Sequence, residues 1–139
     1  MSGLIVMRDQ ALPVKTKSEG LRYDACSVSS LCVQVQPNRA PSVDLSVVRE
    51  MVAQINSSSL VRKHDEQVGD DYVNFIFGTE ALHDLWELLW TKLFQHERVG
   101  AALRRSSIVT CQGPHGWDDY LLLHHFDPAV SLDKVIETY

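Results

Sequence analysis

The chain changes hydrophobic period in the middle of one run. Between Tyr72 and Phe77, the residues Val73, Phe75 and Phe77 alternate with Tyr72, Asn74 and Ile76, the two-residue period of a strand whose faces meet different surroundings. Gly78-Thr79 breaks the run, and Leu82, Leu85, Trp86, Leu89, Trp90 and Leu93 then recur at helical spacing. The spacing predicts a strand over 72–77 and an amphipathic helix over 80–97, with Thr79 as a cap and Trp86 and Trp90 in the core.

The same reading extends in both directions. Leu31, Val33 and Val35 alternate with Cys32, Gln34 and Gln36, predicting a strand over 28–36 that Pro37 and Pro41 end. Ser42 or Asp44 then caps a helix over 43–55, whose apolar face is Leu45, Val48, Met51, Val52 and Ile55. Leu60–Glu66 reads as a more polar strand, turning through Val68-Gly69-Asp70-Asp71 into the strong one. Past Gly100 a further turn runs through Ala101–Arg105. Strands are expected over 107–111 and 120–126, and Leu132, Val135, Ile136 and Tyr139 fit a short C-terminal helix.

The order is strand, helix, strand, strand, helix, strand, with a hairpin strand added. Two amphipathic helices bury both stripes most simply on one face of an antiparallel sheet. The expected fold is therefore α+β, a ferredoxin-like split βαβ sandwich with an added C-terminal hairpin strand. Residues 1–25 read as an N-terminal arm with a possible strand at Leu4–Met7, and residues 26–139 as one domain. The fold hosts many unrelated activities and assigns none.

Composition narrows the setting. The 139 residues carry 45% apolar side chains, and no apolar run approaches the roughly 18 residues that span a bilayer. Gly3–Met7 is too short for a secretory apolar region, so a cytoplasmic protein without membrane contact is expected. Cys26, Cys32 and Cys111 are an odd set with no Cys-x-x-Cys pair, which favours free buried thiols over a disulfide framework. The net charge of −5 is uneven: residues 1–40 carry +2 and residues 41–139 carry −7. An acidic body repels nucleic acid and attracts a basic protein, although mild acidity also serves solubility alone.

Candidate chemistry gathers in Gln112–Asp119. His115 with Asp118 or Asp119 resembles an imidazole–carboxylate pair for acid–base work, but no nucleophile motif accompanies it, and a polar turn with capping aspartates is the simpler reading. His115, His124, His125 and Asp127 carry metal-ligand chemistry without metal-ligand spacing. Neighbouring strand residues point to opposite faces, so His124 and His125 reach one ion only across a bulge. No metal or other cofactor is expected. No phosphate-cradling glycine loop is present. Trp117, between Gly116 and Asp118-Asp119, has the character of an interface anchor, though it could equally fold back over the sheet edge.

If the acidic turns Asp65-Glu66, Asp70-Asp71 and Asp118-Asp119 shared one end of the sheet, they would ring Trp117 with carboxylates; aspartate's preference for turns explains them without that. The expected function is a non-catalytic protein-interaction domain, of the bacterial immunity or antitoxin type, inhibiting a basic toxin through His115, Trp117, Asp118, Asp119, Asp70 and Asp71. The alternative is a small enzyme or ligand-binding domain, with a pocket between sheet and helices that uses His115, His124 or Asp119. The oligomeric state is not legible in the chain.

Overall fold

The computed structural model describes residues 28–115 and 118–135. The arm at 1–25 with its expected strand, Cys26, Trp117, and Ile136 and Tyr139 lie outside the described residues. Strand β1 is Ser29–Val35, helix α1 Leu45–Asn56, β2 Lys63–Val68, β3 Val73–Thr79, α2 Leu82–Leu89, α3 Gly100–Ser106, β4 Ser107–Gln112 and β5 Tyr120–His124. They form an α+β sandwich around one five-stranded sheet in the order β2-β3-β1-β4-β5, antiparallel throughout. Each of the first two crossovers skips over one strand, which is the split βαβ connectivity, and β5 adds to it as a hairpin.

Register explains the layering. Leu31 pairs with Phe77 and Cys111, and Val33 with Phe75 and Val109, so these residues share a face. They belong to one core with Val48, Val52 and Ile55 of α1 and Leu82, Leu85 and Leu89 of α2. Asp44 caps α1: its carboxylate accepts from the amides of Ser46 (3.0 Å) and Val47 (3.4 Å). These bonds, with the Ser46 hydroxyl first among them, hold its pKa below the ordinary carboxylate value. Thr79 is fully buried and accepts from the Ala81 amide at 2.9 Å, just ahead of α2.

The other face of the sheet carries amides. Gln36 donates to Gln34 (2.9 Å) and Gln34 donates to Asn74 on the next strand (3.1 Å), while Arg39 donates to Gln36. Asn74 is fully buried, and its Nδ2 has no partner among the described residues. Beside this ladder Cys32 and Ile76 form a small second cluster against Tyr120.

Several boundaries move for physical reasons. Leu60 and Val61 pack against the core but turn on Ser58, so β2 begins at Lys63. The helix expected over 80–97 stops being α-helical at Leu89 and widens to a π-helical turn over Trp90–Phe94. The wider turn brings the adjacent residues Leu93 and Phe94 both to full burial. It leaves Trp86 and Trp90 half-buried beside the core, rather than inside it as the spacing predicted. The expected C-terminal helix is absent from residues 131–135. There the Asp133 amide donates to Leu122 O and its carboxylate accepts from Leu122 N, both at 2.8 Å, tying the segment to the outer edge of β5. Among the described residues no helix is long and apolar enough to cross a membrane.

Candidate functional sites

The β4–β5 turn is organised by one carboxylate. Asp119 Oδ2 accepts from the His115 amide at 3.1 Å and lies 3.1 Å from His115 Nδ1, while the Gly113 amide donates to Asp119 O at 2.6 Å. A Cβ on Gly113 would collide with the Asp119 carboxylate, so the glycine is needed for this closure. The His115 side chain remains 85% exposed, and Asp118 is exposed beside it. Among the described residues no serine, threonine or cysteine side chain bonds to His115. Cys111 faces the core on β4, and burial pushes its thiol up to about 12, with Asp133 and Asp119 adding to the rise. Among the described residues the imidazole–carboxylate pair ties His115 to Asp119 across the turn.

Asp70 and Asp71 are exposed in the β2–β3 turn, closed by Gly69 N to Tyr72 O at 2.8 Å. The register corrects their expected meeting with Asp118 and Asp119. Ser29 pairs with Thr79 and Leu31 with Cys111, so β4 ends beside the end of β3, whereas Asp70 and Asp71 precede its start. The length of β3, roughly 20 Å at the usual rise, separates the two turns. Glu66 is engaged elsewhere, 2.8 Å from Arg49. No single acidic rim forms.

A second constellation lies where β5 ends. The pairing of β5 with β4 shifts register between Val109 and Thr110: Val109 faces His124, but Thr110 faces Leu122. The extra residue turns His124 towards the helices, where it lies 5.3 Å from the Phe94 ring and 6.0 Å from the Trp90 ring. Its Nε2 donates to Arg104 O at 3.0 Å. Burial lowers its pKa despite that bond, and the charges of His125 and Arg104 lower it further.

Outside His124 opens a cavity of about 510 Å³. Arg104, Arg105 and His125 supply its polar wall, and Ala101, Phe126, Pro128, Val130 and Leu132 its apolar one. Arg39 sits 3.7 Å from the centre of the Phe126 ring and fixes it by a cation–π contact. Sequence reasoning named His124 but missed Arg104, Arg105, Arg39 and Phe126. The one available signal was Arg104-Arg105, the chain's only Arg-Arg pair, standing within its acidic part.

His83 lies 3.5 Å from both Asp84 and Glu87, the closest approach to a metal-ligand group among the described residues. Its Nδ1 faces Asp84 and its Nε2 faces Glu87, so the carboxylates flank opposite edges of the ring. One ligand atom from each of the three side chains nevertheless lies within 4.8 Å of the others, a spacing that exposed acidic groups on a helix face commonly reach without an ion. No protein-family model, curated protein or solved structure matches the chain.

Proposed function

We propose that the chain is a non-catalytic, acidic protein-interaction domain that meets a basic partner through its β4–β5 turn, as an immunity or antitoxin-like inhibitor would. The observation that carries this reading is the bracing of the turn by Asp119 at both its ends. Flanking residues already tied together by hydrogen bonds lose little entropy on binding. Its exposed Asp118 supplies charge for steering, the net charge of −5 reinforces it, and Trp117 sits in the same loop by sequence. Asp70 and Asp71, at the opposite end of the sheet, form a separate acidic surface rather than part of this contact.

The test is a basic protein that co-purifies with the chain from its native host. Trp117→Ala is expected to weaken that complex by about 2 kcal/mol or more, as at an interface hot spot. Asp118→Asn should slow association, with the difference shrinking as salt rises. A complex indifferent to both substitutions would refute the reading, and so would a Trp117→Ala chain that is itself strongly destabilised. A second reading, as a ligand-binding domain, is favoured by the cavity beside His124.

A further inference from the structure

We infer that the cavity at the end of β5 binds a small organic anion, a carboxylate or phosphate ester carried on a compact apolar body. This goes beyond the partner-binding reading and does not depend on the β4–β5 turn.

The deployment of arginine carries the inference. Arg49 pairs with Glu66, Arg62 with Glu80 and Arg98 with Asp44. Arg39, Arg104 and Arg105 have no carboxylate partner among the described residues, and all three gather around Phe126 and the cavity. Arg104 and Arg105 lie in the acidic part of a chain with 18 Asp and Glu against 13 Lys and Arg, yet their guanidinium groups donate to the backbone carbonyls of Phe94 and Ala101. The cavity's own carboxylate, Asp127, is turned to the Ala129 amide at 3.0 Å. A ligand's anionic group would supply the negatively charged partner that these side chains lack, and guanidinium donors suit the oxygens of carboxylate and phosphate alike.

The walls specify the rest of the ligand. Leu132 is 49% exposed on the rim, and Phe126, Pro128 and Val130 continue the apolar surface. A volume of about 510 Å³ falls within the roughly 300–1,000 Å³ of small-molecule sites. The Arg104 guanidinium also bonds to Phe94 O, which fixes the side chain of this cavity-lining residue. The Asp127 amide donates to His125 Nδ1 at 3.0 Å, so in the neutral ring the proton lies on Nε2 as a further donor.

The test uses the full chain and three probes, phenyl phosphate, benzoate and inorganic phosphate, titrated by calorimetry and followed by amide chemical shifts. Phenyl phosphate or benzoate is expected to saturate one site with millimolar affinity, about what a ligand of ten or so heavy atoms reaches. The tighter of the two identifies the head group. Inorganic phosphate should bind at least about tenfold more weakly, lacking the apolar contact. Shifts should centre on residues 101–105 and 124–132.

Arg105→Gln should weaken the organic anion by about tenfold, the loss of one charge-assisted hydrogen bond. Leu132→Ser should weaken phenyl phosphate but leave inorganic phosphate unchanged. Both side chains are exposed, and unchanged thermal unfolding would certify that the variants fold. Arg62→Gln, which alters net charge equally from the opposite edge of the sheet, should leave all affinities alone. Three results would overturn the inference: no saturable binding of either organic probe up to about 10 mM, equal weakening by Arg62→Gln and Arg105→Gln, or inorganic phosphate binding as tightly as phenyl phosphate.

Discussion

Replacing Gly100 with alanine sets two physical rules against each other, and the structure decides between them. Gly100 opens α3, its amide donating to His96 O at 2.8 Å. Helix propensity alone favours alanine there by up to about 1 kcal/mol. An added Cβ, however, would stand 2.6 Å from Phe94 O, 3.0 Å from Phe94 C and 3.2 Å from Gln95 C. All three are main-chain atoms, so no rotamer change relieves them. Phe94 O is moreover held by Arg104, and Phe94 itself is fully buried. Restoring ordinary contact demands a shift of about 0.8 Å in a packed backbone, which belongs with overpacking costs of about 1–3 kcal/mol. Subtracting the propensity gain leaves a net loss of up to about 2 kcal/mol, or a melting temperature lower by up to about 8 °C for a chain of this size. Differential scanning calorimetry of Gly100→Ala beside the parent reads this directly. A raised melting temperature would mean that the approach of α3 to the π-helical turn is not as described.

Leu89→Ala, at a fully buried position beneath the sheet, should cost about 2–5 kcal/mol in urea unfolding; below about 0.5 kcal/mol the stripe would have to face solvent. His124 gives a pH signature. An unfolded histidine titrates near about 6.5, and burial lowers the folded value, so between the two only the unfolded chain holds the proton. Stability should therefore fall as pH drops from about 6.5 towards the folded value and cease to fall below it. His124→Gln, which keeps the donor to Arg104 O, should lose that slope between pH 7.5 and 5, and identical slopes would refute the assignment. Burial pushes the Cys32 and Cys111 thiols up to about 12, so iodoacetamide at pH 8 should modify both only after denaturation, as read by peptide mapping. Modification at the native rate of a free thiol would show the sheet to be open.

The sheet was legible because its strands announce themselves by alternation. Leu31, Val33 and Val35 and then Val73, Phe75 and Phe77 predicted both the strands and the face they share. What the periodicity could not carry was any event that inserts a residue. The π-helical turn at Trp90–Phe94 and the shifted pairing before His124 each break a period locally, and a pattern argument averages over such breaks. The site was less legible for a related reason. Asp70-Asp71 and Asp118-Asp119 look alike as turns, but only the pairing of β1 with both β3 and β4 reveals that they occupy opposite ends. Arg39 meets Phe126 across a long separation in sequence, joined only by the fold. His115 and Asp119, four residues apart, were legible as a pair, and their geometry makes them a brace.

The amide ladder has a consequence for how the chain finds its fold. Sliding β1 by one residue against β3 would turn Gln34 and Gln36 into the layer filled by Val48 and Leu85, and would send Leu31, Val33 and Val35 outward. Each amide stranded there would forfeit about 1–3 kcal/mol, on top of the apolar surface lost from the core. A strand built of hydrophobes on both faces carries no such penalty and tolerates mispairing. Gln34 and Asn74 thus act as a key cut for a single alignment of the two central strands. Their worth lies less in the energy of one 3.1 Å bond than in the mispaired chains they exclude.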